Sequence, residues 1–325
     1  MTLSLTACIP NYNHSQYLPE AIEAVLGQSR PPEEFLLLDD ASTDTSVEIM
    51  ESYAQRCPYL RVAQNERNLG VVASLDRLLR AATGDYVYFG AADDYVLPGF
   101  LEHALALAER HPEAAIVFGQ IALRGHQPGA PDSVEIRGVR RWTEPLYASP
   151  EVFLRDYLQA EPTWHSLTHA TIYRRDLFLE EGGFRRELGH LCDTFALRAL
   201  ALRYGACYLP EPGATWRLTP HSYAAGEGRE LTKMLGIIEK LGELMRSAEF
   251  RDRFPASYAR RWEGDLQRMV FDHYLWTIRE PWGRSPGALL RGRLLKRYLL
   301  ARVALAYRGD LAAFLKARLP GLESR

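Results

Sequence analysis

Three short apolar runs between Leu5 and Asp94, each ending in polar groups, constrain this chain more than any other feature. The first is Leu5-Thr6-Ala7-Cys8-Ile9-Pro10-Asn11-Tyr12-Asn13 and the second is Phe35-Leu36-Leu37-Leu38-Asp39-Asp40-Ala41-Ser42. The third is Tyr86-Val87-Tyr88-Phe89-Gly90-Ala91-Ala92-Asp93-Asp94. A run that is apolar without alternation is how a strand buried on both faces reads, and such strands belong to parallel sheets covered by helices. Open sheets of that kind hold ligands in the crevice beyond the carboxyl ends of their strands. Two of the three runs deliver paired carboxylates there. Such a pair repels itself unless a cation, or donors on a ligand, offset the charge. The chain is therefore expected to hold something polar, with a metal, at one end of its sheet.

Periodicity fills in the helices. Leu3 to Ile9 reads as a strand, followed by a helix from Ser15 to Leu26 with Leu18, Ile22, Val25 and Leu26 at helical spacing. Phe35 to Leu38 is the second strand, and Asp44 is placed to cap a helix running to about Tyr53. Leu60 to Val62, Val71 to Ala82 and Tyr86 to Phe89 read as strand, helix and strand. Pro98 opens a helix to about Arg110, and Ala114 to Phe118 returns to the sheet. This alternation predicts a mostly parallel sheet flanked by helices. Gly119 to Tyr147 loses the pattern and reads as a loop or hairpin excursion. Ser149-Pro150 then starts a helix to about Gln159. Ala170 to Tyr173, Asp193 to Tyr204 and Cys207 to Leu209 read as strand, helix and strand, and everything beyond Gly226 as helical.

Length and charge narrow the function. A chain of 325 residues exceeds a typical single domain, so the expectation is one large domain over 1–225 and a helical C-terminal extension over 226–325. A net charge of −2 argues against nucleic acid as the partner. The charge is unevenly spread: Arg284 to Arg325 carries +8, leaving −10 for the residues before it. Cys8, Cys57, Cys192 and Cys207 form no C-x-x-C pair, which fits a reduced, cytoplasmic setting. Met1-Thr2 leads directly into the first strand, so no signal peptide is expected, and no apolar stretch approaches the ~20 residues of a bilayer span.

The ordered pieces Ile9-Pro10-Asn11-Tyr12-Asn13, Gln28, Asp39-Asp40-Ala41-Ser42-Thr43-Asp44, Asn65 to Gly70, Gly84-Asp85-Tyr86 and Asp93-Asp94 with Pro98 carry a resemblance. Over about its first 225 residues the chain resembles the inverting nucleotide-sugar glycosyltransferases of family 2, which have the GT-A fold, a Rossmann-like α/β architecture. The resemblance implies transfer of a sugar from a nucleotide-diphosphate donor, UDP- or dTDP-linked, to a hydroxyl of a glycan or lipid-linked acceptor, as in bacterial surface polysaccharide synthesis. It also implies Mg2+ or Mn2+ as cofactor.

Residue by residue, the resemblance assigns Asp40, with Asp39 beside it, to the nucleotide base, and Pro10, Tyr12 and Asn13 to the other wall of the base pocket. Asp93-Asp94 occupies the position of the family's D-x-D metal motif, with Ala91 where the first carboxylate usually stands. Asp94 is the expected metal ligand, and Asp93 is expected on ribose or sugar. Asp193 matches the general base, with Cys192 where the family more often has Glu or Gly. Trp216-Arg217 and His221 resemble the closing element over the diphosphate, Arg217 neutralising the leaving group and His221 completing the metal shell. Trp164, His165 and Thr168 read as an acceptor-side wall or as ordinary packing. His165 and His169, four residues apart, lack a third ligand for zinc.

Plainer readings stand beside these. Asp39-Asp40-Ala41-Ser42 also reads as a polar turn, and Asp193 or one acid of Asp93-Asp94 as a helix cap. Ala91 in place of a carboxylate is what a non-catalytic nucleotide-sugar or glycan binding module would show. A nucleotidyltransferase would need a Gly-rich basic loop after the first strand, and Pro10-Asn11-Tyr12-Asn13-His14 is neither. The basic amphipathic stretch from Leu289 to Val303 suits a peripheral contact with the inner membrane face, a homodimer interface or a packed helical cap.

Overall fold

The computed structural model describes residues 2–125, 133–162, 167–218 and 231–279. One sheet of nine strands organises them, in the order β3-β2-β1-β4-β8-β5-β9-β7 with β6 paired to β5. The strands are β1 (Leu5–Asn11), β2 (Glu34–Asp39), β3 (Leu60–Gln64), β4 (Tyr86–Phe89), β5 (Ile116–Gly125), β6 (Ser133–Arg137), β7 (Leu146–Ala148), β8 (Thr171–Arg174) and β9 (Ala206–Leu218). β1 to β5 and β9 run one way; β6, β7 and β8 run the other. The sheet is thus mostly parallel in direction, but β8, inserted between β4 and β5, makes both of its pairings antiparallel.

Burial explains the central strands. β2 and β4 are buried at every position, as their unbroken apolar runs require, because helices cover both faces. Those helices are α1 (Leu18–Leu26), α2 (Ser46–Ala54), α3 (Val71–Ala81), α4 (Phe100–Arg110), α5 (Pro150–Phe153), α6 (Arg175–Glu180) and α7 (Cys192–Tyr204). Ser149 caps α5 as expected, its Oγ accepting from Val152 N, and a π-helical stretch Leu154–Leu158 follows. Asp44 differs from expectation: α2 begins at Ser46, and the Asp44 carboxylate accepts from both Ser46 N and Ser15 N, at 3.0 Å each. It therefore ties the loops after β1 and β2 together as well as starting the helix.

The largest departure from the sequence reading is β9. Pro210, Pro212 and Gly213 look like the end of a strand that stops at Leu209, yet the strand continues to Leu218. It survives through a bulge, where pairing steps from Phe118↔Tyr208 to Gln120↔Pro212 and then Ile121↔Ala214. Gly213 sits under the Phe100 ring; a Cβ there would lie 2.4 Å from Phe100 Cδ2. Beyond the bulge, the segment after β4 runs antiparallel to β9: Leu97 N donates to Gly213 O and Thr215 N to Tyr95 O. β6 makes the excursion after β5 a hairpin.

α7 is buried on nearly every side, consistent with its apolar residues not being confined to one stripe. Two further helices, α8 (Leu231–Arg246) and α9 (Ala256–Arg279), cover it from outside. Phe195 packs edge-on to Phe250 and stacks on Phe254, and the Arg198 guanidinium lies 4.2 Å over Trp262. Glu181 is buried between Arg203 and Arg253, an ion cluster joining α7 to the α8–α9 connection. All four cysteines are buried and free, acting as core residues. Among the described residues no helix is long and apolar enough to cross a membrane. The basic stretch from Leu289 to Val303 lies outside the described residues, and so does the surface expected there.

Candidate active site

The strand order turns at β1: β2 and β3 lie on one side of it and β4 on the other. A crevice forms at such a switch point, between loops that leave in opposite directions. On one side, Asn11 and Asp39 end β1 and β2 in register. The Asp39 carboxylate accepts from Asn11 Nδ2 (3.0 Å) and Ser42 Oγ (2.6 Å) on Oδ1. Its Oδ2 accepts from Ser42 N (2.8 Å) and Gln64 Nε2 (3.3 Å). Four donors fill the accepting capacity of a carboxylate. Asp40 accepts from Asn65 Nδ2 (2.7 Å) and Leu69 N (2.8 Å) on Oδ1, and from Gly70 N (2.8 Å) on Oδ2. Among the described residues, one accepting site on Asp40 Oδ2 is left without a donor.

The loops above these carboxylates are tied to each other. Asn13 Oδ1 accepts from Thr43 N at 2.8 Å, and Asn13 N donates to Ser42 Oγ at 2.9 Å. Asn13 (φ 56°) and Ala41 (φ 61°) both hold left-handed backbone conformations, which for Ala is a strained state of the kind that collects at functional sites. Pro10 lies within β1, and the Tyr12 ring is 43% exposed at the mouth of the crevice.

On the other side, Asp93 and Asp94 follow β4, and the antiparallel run along β9 brings Asp94 to Arg217. Arg217 N donates to Asp94 Oδ1 at 2.6 Å, and its guanidinium donates to Asp93 O at 3.0 Å. The same guanidinium pairs with Glu20 and lies 5.3 Å and 5.2 Å over the rings of Tyr17 and Tyr95. Asp94 is only 5% exposed. Burial pushes its carboxyl up to about 6, with Asp93 adding to the shift and His169 and Arg217 opposing it. His169 Nε2 stands 3.5 Å from Asp94 Oδ2, and its ring stacks on Trp216 at 5.2 Å and 19°.

Asp193 occupies the first turn of α7, where Thr194 N donates to its Oδ1 at 2.6 Å. Thr168 Oγ1 donates to its Oδ2 at 2.7 Å. Trp164, His165 and His221 lie outside the described residues. Sequence reasoning missed the contact of His169 with Asp94, the Thr168 bond to Asp193, and the cage of Glu20, Tyr17 and Tyr95 around Arg217. None of these pairs is local in sequence, and no periodicity marks them.

Among the described residues, no three His, Cys, Asp or Glu gather into a closed metal cage. Mg2+ and Mn2+ at a diphosphate do not need one, since one or two protein ligands and phosphate oxygens suffice. Asp94 fits that need: its carboxylate is buried, Oδ1 accepts from Arg217 N, and Oδ2 has His169 Nε2 at 3.5 Å, beyond hydrogen-bond reach.

Known proteins resemble the chain in sequence and in fold. EpsE of Bacillus subtilis is 35% identical over 130 residues, covering 37% of this chain and 47% of its own length. Residues 1–349 of Staphylococcus aureus TarS, solved with UDP-GlcNAc, superpose with a TM-score of 0.57 at 19% identity, over 88% of this chain and 95% of that one. The mannosyltransferase PcManGT from Pyrobaculum calidifontis, solved with GDP-Man and Mn2+, gives 0.58 at 20% identity, over 98% and 80%. At such identities these two structures establish the shared GT-A fold. The profile of Glycosyl transferase family 2 matches residues 6–182, more than half of the chain and both Asp pairs, and the protein belongs to that family.

Proposed function

We propose that this family 2 glycosyltransferase moves a sugar from a UDP- or dTDP-linked donor to a hydroxyl of a glycan or lipid-linked acceptor, with inversion at the anomeric carbon. The observation that carries the reading is the placement of Asp94 and Arg217 together, across the switch point from Asp40. The base would lie against Tyr12 with its N–H on the remaining acceptor site of Asp40, while Pro10, Asn13 and Asp39 shape the pocket. Asp93 would meet the ribose or sugar. The diphosphate would then reach Asp94 and Arg217. TarS and PcManGT, each solved with a nucleotide-sugar, support a donor of this kind.

A divalent cation, Mg2+ or Mn2+, held by Asp94 with His221 as an expected further ligand, supplies positive charge to the departing diphosphate when bound. Asp193 removes the acceptor hydroxyl proton as the new C–O bond forms and the old anomeric bond to phosphate breaks, its electron pair leaving with the diphosphate. Arg217, fixed in its cage, needs little reorganisation to meet that developing charge. Trp164 and His165 remain proposed for the acceptor side. The proposed setting is the cytoplasm, with the basic C-terminal stretch on the inner membrane face or in a homodimer.

Titration of UDP, dTDP and GDP with and without Mn2+, followed by a hydrolysis screen of nucleotide-sugars, tests the reading. Expected are metal-enhanced binding and slow donor hydrolysis. Tight binding without turnover of any donor would favour a binding module. Pyrophosphate release from a nucleoside triphosphate and a sugar phosphate would favour a nucleotidyltransferase.

A further inference from the structure

The adjacent residues Thr168 and His169 belong to one short 3-10 turn, Thr168–Ala170, that leads into β8. Thr168 is buried, and its hydroxyl holds Asp193 Oδ2 while Thr194 N holds Oδ1, so both oxygens of that carboxylate are fixed. A carboxylate with one oxygen free would swing about its side-chain torsions, and a general base must stand within reach of the proton it takes. His169 faces the other way. Its ring plane is set by Trp216, and Nε2 stands 3.5 Å from Asp94 Oδ2, longer than the 2.7–3.2 Å of an ordinary hydrogen bond. Two ligands at right angles on an octahedral ion, each ~2.1 Å from it, lie ~3 Å apart. At 3.5 Å the two atoms are beyond hydrogen-bond reach and within about half an ångström of the spacing of two ligands on one ion, so a small side-chain movement would let both meet the same cation.

We propose that this turn serves the two ends of the reaction: Thr168 is a positioning residue for Asp193, and His169 is a protein ligand of the divalent cation beside Asp94. The inference rests on the glycosyltransferase reading above. Neutral imidazole binds a cation through Nε2 when the proton is on Nδ1.

The test is a double dissociation on the full chain. Mn2+ affinity in the presence of UDP is read from the electron paramagnetic resonance of free Mn2+, and turnover from hydrolysis of the nucleotide-sugar that the native chain cleaves. Partners that orient a site typically contribute about 10- to 100-fold. His169→Ala should weaken Mn2+ by that factor and leave UDP binding without metal unchanged. Thr168→Val should keep Mn2+ affinity within about twofold and lower turnover by about 10- to 100-fold, with Thr168→Ser restoring most of it. His169→Gln serves if the alanine variant fails to fold by circular dichroism. Unchanged Mn2+ affinity in the His169 variants overturns the proposal, and so does native turnover in Thr168→Val or failure of the serine rescue. A native chain that binds neither nucleotide nor Mn2+ overturns the functional reading, and these two roles with it. Native binding beside unaltered variants removes the two roles alone.

Discussion

Asp94 carries an energetic cost in the ligand-free protein. Its carboxyl, ordinarily near 3.8, rises to about 6 through burial, so the folded state holds the proton where the unfolded state has released it. Stability should accordingly fall as pH rises from ~4 to ~6 and level off above, where the full penalty applies. Asp94→Asn removes the charge and keeps an oxygen for Arg217 N. The variant should be more stable than the native chain at pH 7 by about 1–3 kcal/mol in chemical denaturation, while losing Mn2+-dependent UDP binding and transfer. Lower stability at pH 7 would show that the charge is already compensated. Asp193→Asn should behave oppositely with respect to ligands. Calorimetric UDP affinity should hold while turnover drops ~100- to 10,000-fold, as lost acid-base assistance predicts. Loss of UDP binding together with activity would make Asp193 a helix cap. The acids were legible in sequence because each ends an apolar strand or begins a helix. His169 was visible only as half of an unsupported zinc pair, since its partner lies 75 positions earlier and is met through tertiary structure alone.

Among the elements, the bulge in β9 decides whether Arg217 reaches Asp94. It lets the strand pass Pro210 and Pro212 and run on beside Tyr95 to Leu97, and that run delivers Arg217 N to Asp94. Gly213 is required there because of the Phe100 ring, not because of its backbone torsion. Gly213→Ala should destabilise the protein by about 1–3 kcal/mol, the usual range for overpacking, read as a lowered melting temperature. Its nucleotide affinity should suffer as well, since the strand must shift away from α4. A melting temperature equal to native would show that Phe100 moves aside freely. Strand reading from sequence stopped at Leu209 for the same reason that the bulge is needed: two prolines and a glycine forbid a regular ladder, and only the partner strand shows how the gap is bridged. The parallel β1–β2–β3–β4 core, by contrast, was plain from its uninterrupted apolar runs.

At the scale of the molecule, α8 and α9 are part of the core that holds the site, since they bury the outer face of the helix that begins near Asp193. Trp262 is fully buried against Arg198, Phe254 and Tyr258. Trp262→Ala should cost about 3–5 kcal/mol, measured by denaturant unfolding, and should reduce turnover more than nucleotide affinity because α7 loosens. An unfolding midpoint within error of native would place α9 outside the cooperative unit. The ion pair of Glu20 in α1 with Arg217 near the end of β9 joins positions 197 residues apart. During synthesis, the residues that hold the Asp40 carboxylate, Asn65, Leu69 and Gly70, leave the ribosome early, whereas Arg217 emerges 147 residues after Gly70. A nascent chain halted before β9 should therefore hold Asp40 among its donors and lack Arg217, so that the proposed donor site is completed only after about two thirds of the sequence has been made, with α8 and α9 still to come.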